Sequence, residues 1–187
     1  MTWLSPIPLR LVPTHYSESF HLLPPGSTGL PLSPHPGSFG LVRTNHVHEG
    51  VDLYCPTGTL VSAVEDGCVV AILPFTGVNA FAVNPVTGAV EALHWWHDTD
   101  VVLVEGASGV VAYGEIASLC KVGDNLIAGE VLGEVLQVLK KDKGRPRSML
   151  HIELHVSGTR VPTCWYQENG RPSSLLDPTP YLLSCVS

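Results

Sequence analysis

The residues best suited to chemistry in this sequence are two histidines and an aspartate that could bind one metal ion together. His48 and Asp52 lie in the segment 48–52, and His151 lies in the segment 150–155. A catalytic zinc ion usually has three nitrogen or oxygen ligands from the protein and keeps a fourth position for water. Two neutral imidazoles and one carboxylate leave a residual positive charge, which acidifies the bound water. These residue types therefore indicate a Zn²⁺ site with hydrolytic chemistry.

The spacing of His48 and Asp52 limits how they can reach one ion. In a straight strand the two residues would be about 13 Å apart. Gly50 lies between them and offers the backbone freedom for a bend or a bulge. We therefore expect Asp52 to point inward from the start of a strand and His48 to reach in from the preceding loop. Taken alone, the string is more typical of an exposed loop histidine followed by an aspartate at a turn.

The elements that must position these residues are short strands. Apolar segments rich in Val, Ile and Leu are bounded by Gly, Pro or Asp, as is typical of strands. The 18 glycines and 16 prolines make long helices improbable by composition. The fold class we predict is mainly β, with antiparallel sheets. The candidate strands are Val51–Cys55, Leu60–Val64, Cys68–Leu73, Val101–Glu105, Val110–Tyr113, Glu130–Leu139 and Met149–Val156.

Two regions flank or interrupt these strands. Residues 1–36 hold eight prolines and predict an irregular N-terminal arm that wraps the domain, because proline interrupts helices and central strands. The domain itself is expected over residues 37–187. Residues 74–99 predict a long connection that ends in the aromatic and histidine cluster 94–97, and connections of this length are often functional. That cluster could form a wall for a ligand or cover the edge of the core.

Composition excludes several classes of function. The net charge is −7, and the longest basic run is the short segment 140–143, so we expect no nucleic-acid or membrane-surface binding. No apolar run is long enough to span a bilayer, and prolines interrupt the N-terminus where a signal peptide needs an apolar core. Five cysteines without a Cys-x-x-Cys spacing indicate neither a disulfide framework nor a thiolate zinc site. We expect a soluble, cytoplasmic protein with free thiols.

A wider set of motifs resembles one family. In chain order these are Gly37–Gly40, Arg43, His48–Asp52, Gly58–Gly67, Tyr113, Val122–Gly133, His151–Leu154 and Asp177–Leu182. As a set they resemble the lysostaphin-type (LytM-like) zinc metallopeptidases. The resemblance implies antiparallel sheets around a groove, similar to a barrel-sandwich hybrid, with zinc bound by His48, Asp52 and His151. It also implies a peptide or peptidoglycan-like ligand in that groove.

The sequence departs from this family at two positions. Active members have a histidine in a Tyr-x-His segment, and this chain has Glu115 at that position. They also have a His-x-His pair, and this chain has Met149 in place of its first histidine. Glu115 could serve as a general base, fill the fourth zinc position, or be an ordinary exposed residue at a strand end. Glu153 is expected to hold a ligand imidazole in its tautomer, and His155 to line the groove or the surface.

These departures leave two functions in competition. The first is a metallopeptidase-like protein whose hydrolysis of glycine-rich or peptidoglycan peptides is weak, altered or absent. The second is a non-catalytic module that zinc stabilises and that binds a peptide, glycan or protein. Biotinyl and lipoyl carrier domains contain similar turn-and-strand pieces. A carrier would need an exposed lysine at a hairpin tip, and no Lys precedes residue 121, so we do not expect this function.

Overall fold

A computed structural model describes residues 2–16, 22–44, 46–83, 90–93, 96–142 and 146–186, with the backbone alone for 81–83 and 91–93. Within these residues the chain forms twelve strands and one short α-helix, α1. The strands are β1 (Arg10–Thr14), β2 (Ser27–Pro31), β3 (Val51–Tyr54), β4 (Leu60–Ser62), β5 (Gly67–Val83), β6 (Val90–Leu93), β7 (Thr99–Gly106), β8 (Gly109–Ser118), β9 (Asn125–Leu126), β10 (Val131–Val135), β11 (Met149–His155) and β12 (Leu175–Leu176), and α1 is Thr179–Leu183. The prediction of a mainly β, antiparallel fold is confirmed.

One large antiparallel sheet contains most of these strands. Its main path runs β12-β11-β8-β7-β5-β6, and β3, β4, β9 and β10 pair onto it. β11 is central to the site because it pairs with β3 on one side and with β8 on the other. All seven residues of β11 are buried. A side chain on this strand is therefore fixed by neighbours on both edges.

The larger hydrophobic core lies on one face of this sheet and is built mainly from aliphatic side chains. Its fully buried members include Leu53, Val102, Tyr113, Leu150 and Ile152. The Tyr113 hydroxyl accepts a hydrogen bond from the backbone N–H of Val64 at 2.9 Å, so its one polar atom is satisfied. In β11 the even-numbered residues face this core, because side chains alternate along a strand. The odd-numbered residues 149–155 therefore share the opposite face.

The predicted long connection over residues 74–99 is wrong for much of its length. β5 continues to Val83 and pairs with β6, and β7 begins at Thr99. Pro74 and Gly77 lie within β5, and each stands beside an irregular step in its pairing. A bulge accommodates a residue that would break a regular ladder.

The N-terminal segment is more ordered than the prediction of an irregular arm. β1 and β2 form a two-stranded parallel sheet, with Arg10 opposite Ser27 and Thr14 opposite Pro31. Trp3, Ile7 and Leu11 are buried in the same core as the large sheet.

Two further features concern the covalent state and the membrane. All five cysteines are free, as the sequence predicted. Among the described residues, no helix has the length and apolar character that crossing a bilayer requires.

Candidate metal centre

The pairing of β3 with β11 places Asp52 directly beside His151. The two residues are opposite each other in the antiparallel register, so their side chains lie on the same face. His48 precedes β3 in a loop whose backbone is held by two hydrogen bonds. The His48 N–H donates to the Leu41 carbonyl, and the Gly40 N–H donates to the His48 carbonyl, both at 2.9 Å. The structure therefore brings the three predicted metal ligands together in the way that the sequence predicted.

The three side chains present their ligand atoms at distances equal to or slightly shorter than those of a tetrahedral zinc site. Oδ1 of Asp52 lies 3.1 Å from Nε2 of His48 and 2.8 Å from Nδ1 of His151, and the two nitrogens are 3.3 Å apart. A tetrahedral zinc ion with bonds of about 2.0–2.1 Å has ligand atoms about 3.3–3.4 Å apart. All three residues are buried. The donor set therefore fits a metal ion.

Hydrogen bonds on the far side of each imidazole determine which nitrogen faces the centre. Nδ1 of His48 lies 2.9 Å from the Ser38 carbonyl, which can only accept, so this nitrogen carries the proton and Nε2 presents a lone pair. Nε2 of His151 lies 2.9 Å from Oε1 of Glu153 and donates to that carboxylate. The prediction that Glu153 holds a ligand imidazole is matched by this contact. Such outer partners are typical of histidines that bind metals.

The arrangement of acceptor atoms favours a bound cation. The lone pairs of both imidazoles and an oxygen of Asp52 face one another, because the N–H groups of the imidazoles donate to Ser38 and Glu153. A metal ion satisfies all three, and a proton on Nδ1 of His151 satisfies two of them. Burial of unsatisfied acceptors at this density would otherwise be unfavourable.

The pKa shifts agree with a site that holds positive charge. Burial opposes ionisation of Asp52, but the neighbouring imidazoles outweigh it and hold the pKa of this carboxyl well below its usual range. Burial likewise opposes protonation of His151, but hydrogen bonds to Asp52 and Glu153 hold its pKa well above the usual value. The raised pKa favours a proton on His151 when no metal ion is bound, and an incoming ion would have to displace that proton.

Gly50 has a different role from the one predicted. It has no positive φ, so backbone freedom is not what the site requires from it. A Cβ at this position would lie 2.5 Å from the Ile152 carbonyl oxygen and 2.8 Å from Nε2 of His151. Gly50 is needed because it lets the loop lie directly against β11.

Arg43 completes the environment of Asp52. Its guanidinium lies 3.2 Å from Oδ2 of Asp52, the oxygen that faces away from the two histidines, and donates to the Pro36 carbonyl at 3.2 Å. One carboxylate oxygen is thus directed to the centre while the other is bound by a cation.

A cavity of about 430 Å³ opens beside His48, Asp52 and His151. Besides the three candidate ligands, its polar side chains include Arg43, Glu49, Tyr54, Glu115, Glu153, Thr76 and Thr163. Its apolar wall includes Phe75, Trp96, Val138, Leu139 and Met149.

Glu115 lines the cavity from an unusual backbone conformation. It is the extra residue of a β-bulge, because Gly114 and Ile116 face consecutive residues of β7. Its φ is +66°, which side chains other than glycine rarely adopt. It is half-buried and lies inside β8. The interpretation as an ordinary exposed residue at a strand end is therefore wrong, since a bulge turns the side chain toward the site.

His155 also differs from its prediction. It is fully buried, so it is not a surface histidine. Its Nε2 lies 2.6 Å from Oε2 of Glu153.

The cluster 94–97 is described in part. Trp96 lines the cavity, and its backbone forms a bridge with Leu139. His97 is exposed. His94 and Trp95, like Lys143 of the basic run, lie outside the described residues.

Among the side chains of the cavity that sequence reasoning missed, Phe75 and Glu49 have the closest bearing on the candidate site. The Phe75 ring centroid lies 5.4 Å from that of His151, and Gly114 leaves the space for this ring. Glu49 accepts the backbone N–H of Trp165 at 2.8 Å, and burial raises its pKa. The position of Glu49 next to His48 was a signal for its placement. Phe75 had no local signal, since a strand was not expected beyond Leu73.

Comparison with solved structures finds peptidases of the kind that the motifs resemble. The catalytic domain of the antimicrobial peptidase lysostaphin from Staphylococcus simulans matches with 20% identity and a TM-score of 0.49, over 79% of this chain and 87% of that one. A variant catalytic domain of the prophage-encoded M23 protein EnpA from Enterococcus faecalis matches with 20% identity and a TM-score of 0.46, over 75% of this chain and 85% of that one. A chain of the SpoIIQ–SpoIIIAH pore-forming complex matches with 17% identity and a TM-score of 0.44, over 92% of each chain.

No protein-family model matches the sequence, and no curated protein matches it. Identities near 20% and TM-scores below 0.5 assign no role to any residue. Only the chain's own side chains can therefore indicate what the site does.

Proposed function

We propose that this chain is a zinc-binding, metallopeptidase-like protein whose metal ligands are His48, Asp52 and His151. The observation that carries the proposal is the convergence of three buried acceptor atoms within 2.8–3.3 Å of one another. Their remaining nitrogens and oxygen are engaged by Ser38, Glu153 and Arg43. Because each ligand is held from its far side, the site is organised before a metal ion binds.

When bound, zinc would act as a Lewis acid, which acidifies water and polarises a carbonyl group. The protein's own residues provide the rest of the environment. Arg43 keeps Oδ2 of Asp52 away from the centre, so a single oxygen is directed to the ion. Glu115 provides a carboxylate in the same cavity, where it can accept a proton as a general base.

The ligand that we propose for the cavity is a peptide, of the glycine-rich or peptidoglycan type that the motif resemblance implies. Hydrolysis of such a peptide is expected to be slow. Met149 and Glu115 stand where active lysostaphin-type enzymes have histidines, and a thioether cannot transfer protons. A positioned general acid or base typically contributes about 10²–10⁴-fold in rate.

A second candidate function is binding without cleavage. It is favoured by the apolar wall of the cavity, which Phe75, Trp96 and Met149 build beside the metal centre. Apolar and aromatic side chains bind a ligand well but take no part in proton transfer. In this case zinc would shape and stabilise the groove.

The experiment that tests the proposal measures zinc affinity and turnover on the same sample. Wild type should bind about one zinc ion per chain, and His151→Ala should lose most of that affinity because one of three ligands is gone. His97→Ala is the matched control, because His97 is an exposed histidine. It should bind zinc as wild type does.

Turnover of labelled peptides then separates the two functions. Slow, zinc-dependent cleavage of a glycine-rich or peptidoglycan peptide supports the metallopeptidase-like function. Zinc-dependent binding of the peptide without cleavage supports the binding module. Equal zinc affinity in wild type, His151→Ala and His97→Ala would contradict the metal site itself.

A further inference from the structure

The odd-numbered residues of β11 continue beyond the metal ligand as a buried line of ionisable side chains. Nε2 of His151 lies 2.9 Å from Oε1 of Glu153, and Oε2 of Glu153 lies 2.6 Å from Nε2 of His155. Their positions follow from the alternation of a strand, which places residues 151, 153 and 155 on one face. All three side chains are buried. Glu153 therefore receives one imidazole at each of its two oxygens.

Two donors fix the Glu153 carboxylate more firmly than one would. A carboxylate that accepts a single hydrogen bond can rotate about its last torsion, which is broad and weakly restricted. A second N–H on the other oxygen fixes the plane of the group. The orientation of Oε1 toward His151 thus depends on the contact of Oε2 with His155. Hydrogen bonds from both imidazoles also offset the burial of Glu153 and hold its pKa at about 2.

His155 has no other polar contact that would explain its presence. Its Nδ1 is buried without a hydrogen-bond partner among the described residues. Its cross-strand neighbours are Val110 and Leu175, which are buried and apolar. An aliphatic side chain would suit these neighbours better, because a buried polar atom without a partner is costly. The single contact that an imidazole adds here is the one to Glu153.

We propose that His155 is a positioning residue of the metal centre and acts through Glu153 to hold His151 in its metal-binding orientation. This inference rests on the proposed zinc site, since the orientation matters to the ion that His151 binds. The Nε2–H of His155 donates to Glu153, Glu153 accepts the Nε2–H of His151, and Nδ1 of His151 is left to face the centre. His151, Glu153 and His155 therefore organise the site together, although only His151 would be a metal ligand.

The test compares two substitutions that differ in one hydrogen bond. His155→Leu removes the donor, whereas His155→Gln keeps an amide N–H at a similar distance from the backbone. Loss of a direct partner of a metal ligand typically costs about 10–100-fold in metal affinity. We expect about 3–10-fold weaker zinc binding for His155→Leu, since it acts one step further away. His155→Gln should stay within about 2-fold of wild type.

One control variant and one measurement on wild type separate positioning from general loss of structure. Ile152→Val removes one methyl group from the opposite face of the same strand, and it should leave zinc affinity unchanged. Nitrogen-detected NMR of the metal-free wild type should show the Nε2–H tautomer of His155. This measurement requires no variant, so the proposal stays testable if His155→Leu does not fold.

The outcomes distinguish this inference from the proposed function. If wild type binds zinc and His155→Leu binds it equally well, the positioning role is wrong while the metal site stands. The Nδ1–H tautomer of His155 in wild type would overturn it in the same way. If wild type binds no zinc, the proposed function fails, and the inference fails with it. Weaker binding by His155→Leu together with recovery in His155→Gln supports both.

Discussion

The two ring nitrogens of His151 have different partners, and this difference predicts that the proposed zinc binding depends on pH. Without metal, Nδ1 carries a proton, because hydrogen bonds to Asp52 and Glu153 outweigh burial and raise the pKa of His151 well above its usual value. Zinc must displace that proton. Apparent affinity should therefore rise with pH, about 10-fold per unit, until the pH passes the raised pKa.

The measurement is zinc affinity by chelator competition at several pH values between 6 and 8, chosen because they lie about the usual pKa of histidine. Calorimetry in buffers of different ionisation enthalpy should find about one proton released per zinc ion at pH 7. An affinity that does not change over this range would show that His151 is already neutral in the metal-free protein, contrary to the charge at this site.

Glu115 supplies the clearest test of chemistry at a single residue. If it is the general base, Glu115→Gln should reduce any wild-type turnover by about 10²-fold or more while zinc affinity stays the same. The single-atom change keeps the shape of the side chain in its bulge. Weaker zinc binding would instead identify Glu115 as a metal ligand, and unchanged turnover would exclude it from the reaction.

At the scale of elements, the sequence predicted most of the sheet. Short Val, Ile and Leu runs between glycines and prolines identified β3, β4, β5, β7, β8, β10 and β11, since burial on a pleated surface favours such residues. The bulge at Glu115 could not be predicted, because a glutamate has no intrinsic preference for positive φ. The burial of His155 was missed for a related reason: a polar residue on an alternating face is expected to face solvent or a groove.

The close contact between the loop before β3 and strand β11 depends on Gly50. Gly50→Ala would place a Cβ 2.5 Å from the Ile152 carbonyl oxygen and 2.8 Å from Nε2 of His151. One of these elements must move, so we expect a loss of about 1–3 kcal/mol in unfolding free energy. Zinc affinity should fall as well, because His48 and His151 are held by the two elements that separate.

The matched control for this change is Gly158→Ala. Gly158 has a φ of +87° but open space around it, so the cost there is conformational, about 1 kcal/mol. Chemical denaturation and chelator competition on both variants give the comparison. Retention of wild-type zinc affinity by Gly50→Ala would show that the loop can retreat without disturbing the site.

At the scale of the whole molecule, the N-terminal segment is the part that sequence reasoning described least well. Its prolines correctly indicate the absence of long regular elements among the described residues. They carry no information on distant contacts, and those contacts decide its role. Trp3 stacks on Tyr181 with ring centroids 4.8 Å apart and donates its indole N–H to Ser108 at 3.2 Å. The beginning and the end of the described chain thus meet in one core, which periodicity along the sequence cannot reveal.

This arrangement predicts that the N-terminal segment stabilises the whole fold. Trp3 is 1% exposed, so Trp3→Ala should lower the unfolding free energy by about 3–5 kcal/mol, as is typical of large aromatic side chains removed from a core. Leu4 is the adjacent control: it is 50% exposed, and Leu4→Ala should change the unfolding free energy by about 0.5 kcal/mol or less. Urea denaturation in the presence of a chelator measures both without a contribution from zinc.

A similar, small effect in both variants would mean that residues 1–36 are a dispensable arm and that the domain from residue 37 onward is stable alone. The large effect that we expect would mean that the metal centre is supported by a core to which the N-terminal segment is essential, since Leu150 and Ile152 of β11 belong to the same cluster as Trp3.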